Sequence, residues 1–163
     1  MRKSPRAPAG ARAGAGIDVA VTVRSGPGAA AVSRWAALLV AGARVPPGRG
    51  GPVLSVLLCG DARMQGLNRE WRGMDRPTDV LSFPSGEAGF LGDLVIDVPY
   101  AARQARRLGH PLAREVQLLL AHGLLHLLGH DHETDGGQMF RRQRRLVLGT
   151  FGPGPDGVPE DEP

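Results

Sequence analysis

The chain has 163 residues, which is enough for one domain with a buried core. Hydrophobic residues make up 42% and charged residues 22%, so neither an intrinsically disordered chain nor a membrane-spanning one is indicated. Because Cys59 is the one cysteine, no disulfide can form within the chain, which favours a reducing compartment such as the cytoplasm. The net charge of +4 permits a nucleic-acid partner without demonstrating one.

The two ends of the chain differ from its middle in composition. Residues 1–16 are rich in Ala, Gly, Pro and Arg, contain no acidic residue and show no apolar period. Residues 151–163 are dominated by Gly, Pro and acidic residues. We therefore expect a disordered basic tail over 1–16, one folded domain over 17–150, and a disordered acidic tail over 151–163.

Short strands and helices alternate between these tails. Period-two and continuous apolar runs predict the strands, and apolar residues at helical spacing predict the helices. Asp61 and Asp97 are suitable N-caps for two of the helices. The predicted strands are 17–23, 53–59, 80–83 and 91–96, and the predicted helices are 29–41, 61–71, 98–108, 111–128 and 136–148. The last helix has a predicted apolar face of Met139, Phe140, Leu146 and Val147.

These elements predict an α/β (α+β) fold. We expect a single layered domain in which a mixed four-stranded sheet packs with about five helices. The helix over 111–128 is the most apolar of the five and is therefore expected to be central.

Four of the five histidines fall within eleven residues, and three of these have the spacing of metal ligands. His122 and His126 are four apart on the central helix, so their side chains leave one face about 5–6 Å apart at Cβ. Gly129 can end this helix in a left-handed conformation and turn His132 back toward the pair. Three imidazoles leave the fourth position of a tetrahedral zinc ion to water, as in catalytic sites. His130 is then expected to point away.

The pattern His-x-x-x-His-x-x-Gly-x-x-His is similar to that of the metzincin zinc peptidases. Those enzymes carry a glutamate directly after the first histidine, where it serves as the general base. Here that position is Gly123, which cannot transfer a proton. The pattern therefore predicts the metal site but argues against this kind of peptidase chemistry.

A second resemblance is more specific. Residues 122–132 read His-Gly-Leu-Leu-His-Leu-Leu-Gly-His-Asp-His, which resembles the signature of the YbeY family, bacterial rRNA maturation factors described as single-strand endoribonucleases. Residues 67–84, with Leu-Asn-Arg-Glu-Trp-Arg and Pro-Thr-Asp-Val-Leu-Ser-Phe-Pro, and residues 91–96, Leu-Gly-Asp-Leu-Val-Ile, resemble two further family segments. The resemblance covers about residues 17–150. It departs at Trp71 and His130, where tyrosine is usual.

The resemblance implies that His122, His126 and His132 bind one Zn²⁺ ion, with His122 also counted among the catalytic residues. Arg72 matches a family arginine that faces the metal cleft and is important for activity. A guanidinium there can clamp a phosphate through two hydrogen bonds.

The resemblance further implies a cytoplasmic metal-dependent endoribonuclease acting in 16S rRNA 3′-end maturation, rRNA processing and ribosome quality control. Single-stranded RNA, the small ribosomal subunit and the GTPase Era are the implied partners, and no DNA or membrane partner is expected.

The residues leave several questions open. A peptidase or other hydrolase, and a non-catalytic ribosome-assembly factor, remain alternative functions. Asp79, Asp93 and Asp131 are all candidates for the general base. Thr78, Asp79 and Ser82 are expected at the same cleft, although they can equally be turn and edge-strand residues.

Overall fold

The computed structural model describes residues 19–23, 26–45 and 53–154, so the tail predicted for 1–16 lies outside the described residues, as do residues 155–163. The strands are β1 (Val19–Val23), β2 (Leu54–Cys59), β3 (Val80–Pro84) and β4 (Gly92–Asp97). The helices are α1 (Ala29–Gly42), α2 (Asp61–Arg72), α3 (Val98–Leu108), α4 (Leu112–Leu127) and α5 (Gln138–Phe151).

The four described strands form one mixed sheet in the order β1-β2-β4-β3. Strands β1, β2 and β4 are parallel, while β3 pairs antiparallel with β4 at the sheet edge. All six residues of β2 and all six of β4 are buried, which explains the apolar character of β2 and of residues 94–96 in β4. The predicted fold class, a mixed four-stranded sheet packed with five helices, is confirmed.

Helices cover both faces of the sheet. On one face, α1 and α4 pack against side chains such as Val56, Leu94 and Ile96 and form the main core. On the other face, α2 contributes Met64 and Leu67 to a smaller core. None of the helices in the described segments combines the length and apolar character that spanning a bilayer requires.

Two helices differ from the prediction at their N-termini. Asp61 is the first helical residue of α2, and Gly60 occupies the N-cap position instead. Helix α5 starts at Gln138 rather than at 136 because the Asp135 carboxylate accepts hydrogen bonds from the backbone N–H groups of Gly137, Gln138 and Met139.

The apolar face predicted for α5 is wrong at one residue. Met139 and Val147 are buried, but the Phe140 side chain is 48% exposed. The helix therefore buries a narrower stripe than its sequence suggests, and it extends to Phe151 rather than ending at residue 148.

Helix α4 approaches the sheet most closely at Gly123. A Cβ atom added there would lie 2.7 Å from Leu94 Cδ2 and 3.2 Å from Ser82 Oγ. Both neighbours belong to the sheet, and Leu94 is fully buried. The Ser82 hydroxyl also donates a hydrogen bond to the Gly123 carbonyl, at 3.4 Å. The glycine therefore allows α4 to lie directly on β3 and β4.

We expect Gly123→Ala to destabilise the fold by about 1–2 kcal/mol, because overpacking outweighs the better helix propensity of alanine. Gly66 is the matched control, since it is also inside a helix but a Cβ there would meet nothing within 4 Å. Gly66→Ala should stabilise the fold by about 0.5–1 kcal/mol. Chemical denaturation of both variants measures the difference, and an equal stabilisation by both would refute the close packing at Gly123.

Candidate metal centre

Two imidazoles project from one side of α4 into a common space. His122 and His126 have their Nε2 atoms 3.1 Å apart, and their ring centroids lie 4.8 Å apart. Both side chains are half-buried. The one-turn separation along α4 produces this pairing, as the four-residue spacing predicts.

His132 joins the pair from the turn that follows α4. Gly129 has φ of +91°, the left-handed conformation predicted for the helix end, and the His130 N–H bonds back to the Leu125 carbonyl at 3.0 Å. The turn brings the His132 ring centroid to 5.4 Å from that of His122 and to 5.3 Å from that of His126. Ligand atoms of the three histidines all lie within 4.8 Å of one another.

Gln143 on α5 fixes the orientation of His122. Its side-chain carbonyl oxygen lies 2.9 Å from Nδ1 of His122. Because this oxygen can only accept, Nδ1 donates and the neutral ring keeps the lone pair on Nε2. The sequence pattern gave no prediction for Gln143. One uncharged polar residue within an arginine-rich helix is a weak signal, visible only once the fold pairs α4 with α5.

The surroundings keep the helical histidines neutral. Burial lowers the pKa of His122 below its ordinary value, against the opposing effect of the Gln143 hydrogen bond. Burial also lowers the pKa of His126, and the neighbouring His122 lowers it further. Neutral imidazole is the form that binds a metal ion.

The donor set fits a metal ion. Two nitrogens that are each about 2.0–2.1 Å from a tetrahedral ion lie about 3.3 Å apart, close to the 3.1 Å between the Nε2 atoms of His122 and His126. The three histidines can therefore hold a metal ion, and imidazole ligands suit zinc, copper, nickel and iron alike.

The histidine cluster opens into a cleft of about 400 Å³. One wall is strand β3 with the residues before it, and the other is formed by α4 and the following turn. Arg72 also lines the cleft, although it lies far from the histidines in sequence. The complete lining is Arg72, Thr78, Asp79, Val80, Leu81, Ser82, Pro84, His122, His126, Asp131, His132 and Glu133.

Local structure at the end of α2 directs Arg72 toward the cleft. Gly73 ends the helix with φ of +71°, and its N–H bonds to the Arg69 carbonyl at 3.1 Å. The buried Asn68 side chain donates to the Arg76 carbonyl at 2.7 Å. These contacts fold the segment after Arg72 back toward the start of β3.

Asp79 is the most firmly held carboxylate of the cleft. Its Oδ1 accepts from the Val80 N–H at 2.8 Å and from the Thr78 hydroxyl at 3.3 Å. Its Oδ2 accepts from Nε2 of Gln104 at 3.2 Å. The same Gln104 nitrogen donates to the buried Glu115 at 3.0 Å, so one amide group connects Asp79 to a carboxylate on α4.

The other two acidic candidates differ from Asp79. Asp93 is buried within β4 and is not among the residues that line the cleft. Asp131 lines the cleft, but its Oδ1 accepts from the Glu133 N–H within a tight turn. His130 also has a separate contact, since its Nε2 lies 3.2 Å from the guanidinium of Arg142.

Removing the Gln143 hydrogen bond should weaken metal binding. We expect Gln143→Leu to lower the affinity about 10- to 100-fold, because the His122 ring loses the partner that fixes its tautomer. Gln138→Leu is the matched control, since Gln138 is exposed on the same helix. Competition against a chromophoric chelator measures both affinities. Equal metal affinities for the two variants would show that Gln143 does not orient His122 for metal binding.

Relatives of the chain are found among curated proteins. An Endoribonuclease YbeY from Solibacter usitatus is 50% identical over 95 residues, covering 58% of this chain and 64% of the relative. Another from Anaeromyxobacter is 50% identical over 106 residues, covering 61% of this chain and 55% of the relative. The chain therefore spans less than two thirds of the length of either protein. An Aquifex aeolicus relative is 44% identical over 123 residues, covering 72% of this chain and 79% of the relative.

A solved structure and a family model agree with these relatives. The solution structure of a Thermotoga maritima protein superposes with a TM-score of 0.61 at 27% identity, covering 82% of this chain and 89% of that protein. The model of the family described as Endoribonuclease YbeY matches residues 32–150. The match includes the three histidines, Arg72 and all of the cleft lining. The chain belongs to the Endoribonuclease YbeY family.

Proposed function

We propose that this chain is a metal-dependent endoribonuclease that cleaves single-stranded RNA. The observation that carries the proposal is the convergence of His122, His126, His132 and Arg72 on one cleft. The naming of the relatives as endoribonucleases supports it. We further propose zinc as the ion, and rRNA of the small ribosomal subunit as the substrate, with processing of the 16S rRNA 3′ end and ribosome quality control as the cytoplasmic setting. The partnership with Era rests on family resemblance alone.

A bound zinc ion supplies a Lewis acid and a water molecule with a pKa near 7. His122, His126 and His132 would hold the ion through neutral imidazole nitrogens, with Gln143 orienting His122. Arg72 binds the phosphate through its guanidinium and stabilises the negative charge that grows on the phosphate oxygens.

We assign the general base to Asp79. Its carboxylate lines the cleft, and three hydrogen bonds from Val80, Thr78 and Gln104 hold it in one orientation. A carboxylate fixed in this way can accept a proton from the group that attacks the phosphate, whether that group is water or the ribose 2′-hydroxyl, without first reorganising.

The geometry disfavours a metzincin-like peptidase. The residue that would supply the glutamate base is Gly123, and a side chain there would point into Leu94 of the sheet rather than into the cleft. A glutamate could not be accommodated at this position without moving α4.

Removal of the metal should abolish RNA cleavage. We expect chelated wild-type protein, with metal loss verified by elemental analysis, and the His126→Ala variant to leave a single-stranded RNA uncut, and zinc to restore activity only to the wild type. Wild-type protein should leave a peptide library intact under the same conditions. Cleavage at the wild-type rate by metal-free protein would contradict the proposal. So would the restoration of rRNA maturation by His126→Ala in cells from which the gene for this protein has been deleted.

Arg72 should contribute to catalysis beyond its charge. We expect Arg72→Gln to lower kcat/KM for single-stranded RNA by about 10²- to 10³-fold, as for loss of a group that stabilises transition-state charge. Arg72→Lys should recover only part of this, because an ammonium cannot form the paired hydrogen bonds of a guanidinium. Arg69→Gln is the control, since Arg69 is exposed one turn earlier and pairs with Asp75. Equal losses for the Arg69 and Arg72 variants would indicate a general charge effect instead.

A further inference from the structure

Phe140 is an exposed aromatic residue beside the candidate metal centre. The chain has four Phe, two Trp and one Tyr, and within the described segments Phe140 alone among them is classed as exposed. Its ring centroid lies 5.4 Å from that of His132 and 6.1 Å from that of His122. The ring thus contacts the histidine cluster on one side and solvent on the other.

Exposure alone does not mark a site, because single apolar side chains are common on protein surfaces. Phe140 is distinguished by its position beside the histidine cluster. Its ring lies against two of the three histidines, His122 and His132. Phe140 is therefore an exposed aromatic ring that adjoins two histidines of the cleft.

The helix that carries Phe140 is rich in positive charge. Arg141, Arg142, Arg144 and Arg145 follow Phe140 on α5, and all four are exposed. Arg142 extends to the turn that carries His132, where it meets His130 at 3.2 Å. An exposed aromatic ring together with nearby cationic side chains is a combination that binds single-stranded nucleic acid, since bases stack on the ring while cations contact the phosphates.

Geometry limits this contact to unpaired nucleotides. A base within a duplex has both faces covered by its neighbours, whereas a base in a single strand can turn out and stack on a side chain. An exposed ring that close to the histidines can receive such a base while the adjoining backbone enters the cleft.

We propose that Phe140 is a stacking platform for one base of the single-stranded RNA substrate, and that it contributes to the preference for single strands. This inference rests on the proposed endoribonuclease function. The competing explanation is that the ring only shields the imidazoles, in which case its loss would weaken metal binding and leave the contact with RNA unchanged.

A double-mutant cycle separates the two explanations. Zinc-loaded wild type and Phe140→Leu are titrated with a single-stranded 2′-O-methyl oligonucleotide of about ten residues, which resists cleavage, and with versions bearing one abasic position scanned along it. Phe140→Leu should bind the intact oligonucleotide about tenfold more weakly. One abasic position should weaken wild type by a similar factor and have little further effect on the variant.

Two further variants keep the result interpretable. Phe140→Trp should restore tight binding, because a larger π surface stacks at least as well, whereas a pure packing role would make the larger ring disruptive. Leu148→Ala should bind as wild type does. The zinc content of each variant is measured alongside.

The proposal is overturned if every abasic position weakens wild type and Phe140→Leu equally, or if the zinc-loaded wild type does not bind the oligonucleotide. Failure of the proposed function is a separate outcome. If wild type binds through Phe140 but leaves unmodified RNA uncut, the stacking contact stands and the cleavage activity does not.

Discussion

The contact between α4 and the sheet at Gly123 determines the geometry of the candidate site. A helix turns about 100° per residue, so a Gly123 pressed against Leu94 and Ser82 leaves His122 and His126 at the side of the contact, beside strand β3. The cleft is the space between that side of the helix and the edge strand. A bulkier residue at position 123 would separate the two walls, because the Cβ would already lie 2.7 Å from Leu94 Cδ2.

Because α4 is buried, its polar side chains need hydrogen-bond partners. His122 finds one in Gln143 on α5. Glu115 finds His110, at 3.0 Å, and Gln104 on α3. Because Gln104 also donates to Asp79, the partners that satisfy the buried helix are the same ones that orient the cleft.

The features that we predicted from the sequence depend on the spacing of residues that lie close together in the chain. The four-residue histidine pair, the Gly129 turn and the Asp97 cap on α3 all lie within a few residues of their partners, and the Asp97 carboxylate does accept from the Tyr100 N–H at 3.2 Å. Gln143 was not predicted because its partner is 21 residues away, and the bond depends on how α4 and α5 pack.

Asp93 illustrates the same limit. Leu94 of β4 meets α4, so its neighbour Asp93 faces the opposite side of the sheet, but the sequence does not say which face α4 covers. Phe140 follows a helical apolar period, yet whether such a residue is buried depends on the width of the contact that α5 makes.

The charges of the cleft connect metal binding to substrate binding. Without an ion, the lining carries one cationic residue, Arg72, against three acidic ones, Asp79, Asp131 and Glu133. An RNA phosphate entering that cleft would meet net negative charge and be repelled. A divalent cation on the three histidines offsets the excess and leaves the guanidinium free to contact the phosphate. The arginines of α5 act at longer range, where they raise the local concentration of a polyanion but do not neutralise the cleft itself. Under the proposed function, a bound divalent cation therefore favours the approach of an anionic substrate, and by reciprocity a bound phosphate should strengthen the hold of the histidines on the ion.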